Sequence, residues 1–275
     1  MVDYKIAKKH AVLSKTDSLG TQEKFHKDGY WYKYNHVGNE GLAEQLVSDV
    51  LSCSNVTDYV SYEYCLINSE KGCRSKSFLE DGDQLITFDQ LFKNTQIGTI
   101  TDKIFSMQDV HERIAYLIDF VKDTAGIDCT KYLYETFCID MLTKNPDRHY
   151  KNLALILKQD GTFKTAPIFD NGQALMQNHS ITPAYMSLEE KEARVCAATV
   201  SGSFDMQYIE MEHIYNGEPL LINYDKLFHL LDEKYENENE AVQYLKHSLK
   251  ENEKIFSLQH HLEQKNNLEK DEYSH

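Results

Sequence analysis

"NPDRHYKNLAL", residues 145–155, places two basic residues, a histidine, an aspartate and two asparagines within eight positions, and a plain apolar run follows. The stretch sits directly after "TKYLYETFCIDMLTKN". There Leu133, Phe137 and Met141 form one stripe at helical spacing, with Tyr134, Cys138 and Leu142 beside it. A buried helix therefore runs into a polar loop. Pro146 ends it, because proline biases its predecessor away from the helical region. "NLALIL" then reads as a short apolar strand, Asp160-Gly161 as a turn, and "FKTAPIFDNG" as a second short strand ending in an aspartate.

Outward from this stretch the chain divides in two. Upstream, "DGYWYKYN" opens on Asp28-Gly29, a hairpin signal, and continues as an aromatic-rich strand from Tyr30 to Tyr34. "KTDSLGTQEKF" before it is polar with one central glycine. "GNEGLAEQLVSDVL" carries Leu42, Leu46 and Val50 at four-residue spacing, an amphipathic helix, and "YVSYEYCLI" reads as a further strand. From about residue 96 the period becomes helical. Val110, Ile114, Ile118 and Val121 share one face, and the C-terminal part returns to helices. The expected architecture is α+β and two-lobed: a strand-rich N-lobe over 1–95, with "LITFDQLF" approaching the hinge, and a mainly helical C-lobe over 96–275.

Composition narrows the function. The 275 residues are ample for a large core, and 41% apolar content with 18 tyrosines fits a globular chain. A net charge of -15 leaves no basic excess to displace counterions from a nucleic acid. No stretch approaches 18 apolar residues and the N-terminus has no signal-like apolar core, so no membrane span is expected. Six cysteines show no CxxC pair, which suits reduced thiols in the cytoplasm, unless export uses a route that reads no N-terminal signal. There is no G-x-S-x-G, H-E-x-x-H or Walker A motif.

Phosphoryl transfer from ATP needs a carboxylate beside the acceptor hydroxyl, oxygens for magnesium, and a lysine on the phosphates held by an acidic partner. Asp147 and Asn152 have the spacing of a kinase base and metal-binding asparagine. Asp170, in "FDNG", would face Asn152 across the hairpin, with Gly172 freeing the turn. One Asp and one Asn can suffice for magnesium, which keeps most of its shell for water and phosphate. Lys33 lies mid-strand among aromatics and is costly to bury unpaired; the next helix offers Glu40 and Glu44. Arg148 and Lys151 either neutralise charge or hold the loop.

"DRHYKN" with "PIFDNG" resembles the HipA-like serine/threonine kinases, whose catalytic loop reads D-x-H-x-x-N. "SLGTQEKF", "YWYKY" and "GNEGLAEQLVSDVL" are similar to that family's glycine loop, lysine strand and helix. The likeness spans 18–172, and compact CtkA-like members match the chain in scale. The resemblance implies an ATP- and Mg2+-dependent serine/threonine protein kinase capable of autophosphorylation, with Ser14 and Ser18 the local candidates. Asp147 would be the base, with His149 touching the transferred phosphate or holding the loop. Asn152 and Asp170 would take the metal. Ser18, Gly20, Thr21 and Lys33 would bind ATP, with Glu40 as the helix glutamate. The glycine loop departs from G-x-G-x-x-G, keeping only Gly20. A protein substrate is expected, and an antitoxin partner is not, because no room is seen for an additional N-terminal subdomain. The rivals are a phosphoinositide or small-molecule kinase and a non-catalytic kinase-fold binding module. The stretch after Asp170 lacks a basic cluster for anionic lipid, and no catalytic part is missing.

Overall fold

A computed structural model describes residues 1–11, 24–237, 239–258 and 261. The first sheet contains β1 (Asp3–Tyr4), β2 (Lys24–Lys27), β3 (Tyr30–Tyr34), β4 (Tyr62–Ile67) and β5 (Glu70–Lys76), in the order β1-β4-β5-β3-β2. β1 runs parallel to β4 and the remaining pairs are antiparallel. Asp28 and Gly29 both have positive φ, the two-residue turn whose twist matches that of its flanking strands. This turn sets the register Lys24 opposite Lys33 and Phe25 opposite Tyr32. Opposed residues share a face, so both lysines point the same way.

Helix α1 (Glu40–Ser52) follows β3 and lies on β4 and β5. The predicted stripe Leu42, Leu46 and Val50 is buried, and so are Ala43, Val47 and Leu51, so the helix is covered on more than one side. Its outer side is closed by the far end of the chain. Lys234 donates to both Asp49 carboxylate oxygens at 2.8 Å, and Gln45 donates to the Tyr235 hydroxyl at 2.5 Å. Ile222 bridges to Ser54 on one side and Ser257 on the other.

The second sheet is small: β6 (Gln84–Thr87), β7 (Ala154–Leu157) and β8 (Phe163–Thr165), antiparallel in that order. "LITFDQLF" joins this second sheet. It supplies β6 and then α2 (Phe88–Thr95), started by a capping box between Thr87 and Gln90. β6 pairs with β7 of the catalytic-loop hairpin because Leu85 and Ile86 need apolar neighbours, and Ile156 and Leu155 lie opposite them.

The other helices are α3 (Ile100–Phe105), α4 (Val110–Ala125), α5 (Thr130–Thr143), α6 (Leu188–Glu192), α7 (Phe204–Ile214), α8 (Tyr224–Lys234), α9 (Glu240–Glu251) and α10 (Glu253–Phe256). α5 is the central post, with α7 and α9 against it and all six predicted stripe residues buried. It ends at Thr143 through Lys144, whose φ of 50° is left-handed, and Pro146 then keeps the chain from resuming the helix. No helix among the described residues is long and apolar enough to cross a membrane.

Candidate active site

Lys33 is 9% exposed and its ammonium is the hub between the lobes. It donates to Glu44 Oε1 at 3.0 Å and to Asp170 Oδ1 at 2.8 Å, and lies 5.3 Å from the centre of the Tyr62 ring. Glu44 completes a tie to the other lobe, its Oε2 accepting the Asn171 backbone N–H at 2.8 Å. The Asp170 N–H donates to the Tyr62 hydroxyl at 3.3 Å. Strand, helix and the "FDNG" turn therefore meet on one cation.

The partner of Lys33 is Glu44 and not Glu40, a correction to the reading by resemblance. Glu40 is the first residue of α1, where unpaired backbone donors converge. Its carboxylate accepts N–H groups from His36 (3.1 Å), Val37 (2.7 Å) and Gly38 (3.3 Å), which fixes the loop entering the helix. One turn later, Glu44 faces the sheet. The turn chemistry of "FDNG" also differs from expectation. Asp170 itself adopts the left-handed conformation (φ 59°), whereas Gly172 matters for space, since a Cβ there would lie 3.1 Å from Glu40 Cβ.

Burial opposes the charge on Lys33, but Asp170 and Glu44 overcome it and hold the ammonium well above its ordinary range. Burial likewise works against ionised Asp170. Lys33, Lys24 and Arg148 overcome it and keep that carboxyl below the usual carboxylate range. Burial pushes Glu44 up, against the pull of Lys33.

The loop 145–152 is organised from inside by Arg148, which is 1% exposed. Its guanidinium grips Asp140 of α5 through Nε to Oδ2 (3.0 Å) and Nη2 to Oδ1 (3.0 Å). Nη1 donates to the carbonyl of Phe169 at 2.7 Å and approaches that of Asn152 at 3.4 Å. Arg148 thus ties α5, the loop and the residue before Asp170 together, and of the two roles open in the sequence it holds the loop. Lys151 joins no ion pair among the described residues.

Asp147 and His149 point outward instead, with side chains 48% and 46% exposed and 3.7 Å between His149 Nε2 and Asp147 Oδ1. Asn152 Nδ2 donates to the Asp147 carbonyl at 2.9 Å and reaches Asp147 Oδ2 at 3.4 Å. That leaves Asn152 Oδ1 and Asp170 Oδ2 without protein partners among the described residues. A carboxylate and an amide oxygen are ligand types that a divalent cation with few protein ligands accepts. Burial pushes the Asp147 carboxyl up and Asp170 adds to this, against His149, Arg148 and the Asn152 hydrogen bond.

Between the lobes lies a cavity of about 100 Å³, whose lining includes the charged Lys24, Lys33 and Asp170 and the apolar Phe78, Leu79 and Phe169. Ser18, Gly20 and Thr21, expected to bind ATP, lie outside the described residues, as does Ser14. Lys24 stands on β2, directly opposite Lys33. Asp140 was missed, although a lone aspartate in the all-apolar stripe of α5 signals a buried partner.

The segment after "FDNG" docks back on the start of α1. The Asn39 amide donates to Gln177 Oε1 at 3.3 Å, Gly38 bridges to Asn178, and the His179 N–H donates to the Val37 carbonyl at 3.3 Å. A Cβ at Gly38 would come within 1.7 Å of the Gln177 carbonyl oxygen, so this approach requires glycine.

No family model matches the sequence, and no curated protein matches it. Among solved structures, the chain is similar to a HipA of Shewanella oneidensis MR-1, solved with HipB and operator DNA as a toxin–antitoxin system. That match has TM-score 0.45 at 10% identity, covering 87% of this chain and 60% of that one. It is also similar to the Helicobacter pylori proinflammatory kinase CtkA, with TM-score 0.64 at 16% identity, covering 93% of this chain and 95% of that one. Over nearly its whole length, the chain thus has the two-lobed α+β fold of the CtkA kinase.

Proposed function

We propose that this chain is an ATP- and magnesium-dependent serine/threonine protein kinase of HipA-like type. The observation that carries the reading is the buried Lys33 ammonium, held at once by Glu44 of α1 and Asp170 of the "FDNG" turn. An ion pair sunk this deeply is poor value for stability alone, but it serves a lysine that must meet phosphates at a fixed point. ATP with magnesium supplies the phosphoryl group. Lys33 steadies the phosphates, and Asn152 Oδ1 and Asp170 Oδ2 are the protein oxygens for the metal. Asp147, exposed at the mouth, accepts the proton of the attacking hydroxyl, and its raised pKa brings it nearer to the range of a working base. His149 stands beside it. Arg148 keeps Asp147, Asn152 and Asp170 in register.

The acceptor is a protein hydroxyl, and the chain itself is the first acceptor to test, with Ser14 and Ser18 as candidates. The test is intact mass after incubation with magnesium and ATP, for wild type, Asp147→Asn and Asp170→Asn. Wild type should gain phosphate and both variants should not, with unchanged circular dichroism. Equal phosphate on all three would refute the assignment. Nucleotide binding without transfer to the chain or to any protein acceptor would favour a non-catalytic kinase-fold module.

A further inference from the structure

Lys24 is the charge in the cleft that the proposed chemistry leaves unused. It is 7% exposed, unlike an ordinary strand lysine, whose ammonium reaches solvent. Across the β2–β3 pair it stands directly opposite Lys33, so two ammonium groups share one face of the sheet, an arrangement that costs stability. Lys33 is compensated by Glu44 and Asp170. Among the described residues no carboxylate lies within ion-pair distance of Lys24. It lines the interlobe cavity together with Lys33 and Asp170.

We propose that Lys24 is a second phosphate-binding lysine, contacting the polyphosphate of a nucleotide alongside Lys33. This rests on the ATP-binding reading above and deepens it. A polyanion compensates both ammonium groups, and Lys24 is the one that no carboxylate among the described residues pairs with. A neutral nucleoside offers Lys24 nothing. The contribution of Lys24 therefore grows with the number of phosphates on the ligand.

The experiment is titration calorimetry, in the presence of magnesium, of adenosine, AMP, ADP and a non-hydrolysable imido analogue of ATP against wild type, Lys24→Met and Lys24→Arg. Loss of one charge-assisted contact should weaken the ATP analogue about tenfold or more in Lys24→Met, with ADP intermediate and adenosine unchanged. Lys24→Arg should recover most of the affinity. Removing a buried charge that stands directly opposite a like charge should leave the ligand-free melting temperature equal or higher; if Lys24→Met fails to fold, Lys24→Gln replaces it. Wild-type affinity for all four ligands in Lys24→Met overturns the proposal while leaving the kinase reading intact. An equal loss for adenosine and the ATP analogue also overturns it, since that marks a merely structural lysine. No binding of any nucleotide to wild type overturns both readings together.

Discussion

Replacing Arg148 by methionine isolates what holds the catalytic loop. The substitution keeps much of the buried volume but removes every donor to Asp140, Phe169 and Asn152. Asp140, itself 1% exposed, would be left as an unpaired buried carboxylate, a loss of roughly 3–5 kcal/mol. The Phe169 carbonyl loses a 2.7 Å donor, worth about another 1–3 kcal/mol if nothing replaces it. A domain has on the order of 5–15 kcal/mol in total, so the variant should be crippled and not merely weakened. Urea denaturation at neutral pH should show a large fall in midpoint, and melting should drop on the order of 10 °C. The double variant Asp140→Leu with Arg148→Met removes both charges and should recover part of the loss. Acid should narrow the gap between Arg148→Met and wild type, because protonation relieves the stranded Asp140. A loss below about 1 kcal/mol, or a double variant no more stable than the single one, would refute the account of Arg148 as the internal tie.

Other expectations follow from the same geometry. Glu44→Gln should lower phosphoryl transfer by on the order of a hundredfold, as a displaced Lys33 misplaces the phosphates. Glu40→Gln should spare the Lys33 contact and chiefly destabilise the start of α1; equal kinetic losses in the two variants would contradict the assignment of partners. The activity of Asp147 requires its carboxylate, and its pKa is raised, so transfer should fade with falling pH at a point above the ordinary aspartate value of about 3.9. Asp170, held low by Lys33, stays ionised through that range and should contribute no limb to the profile. A limb at or below the ordinary aspartate value would count against Asp147 as base. Gly38→Ala should cost about 1–3 kcal/mol by forcing the loop 36–38 off Gln177, which thermal melting would detect; an unchanged melting temperature would mean that this approach is not close in solution.

Legibility in the sequence followed the range of the forces involved. The hairpin at Asp28-Gly29, the α1 stripe and the end of α5 were readable because turn chemistry and periodicity are local. The pairing of Asp147 with Asn152 was readable for the same reason, both being in one loop. Glu40 and Glu44 were not separable by spacing, since both lie on one face of α1. What divides them is that Glu40 is the helix's first residue and is captured by the N–H groups of 36–38. Arg148 was undecided because its role depends on Asp140, eight residues away on a helix whose burial arises from α7 and α9. Lys24 was missed because its meaning lies in the residue across the hairpin. The pairing of the strand in "LITFDQLF" was not legible because its partner, β7, lies about 70 residues downstream.

The closure of α1 by the far end of the chain sets an order of events during synthesis. Domains made on the ribosome tend to fold as their sequence emerges, at roughly 5–20 residues per second. Here α1 emerges well before Lys234, Tyr235 and the bridge through Ile222 and Ser257 that complete its surroundings. For on the order of ten seconds or more at those rates, the nascent chain carries Lys33 and Glu44 without the wall that seats their helix. A chain that has emerged only through α7 therefore carries α1 without its outer wall, and the proposed catalyst gains that support only as α8 to α10 follow.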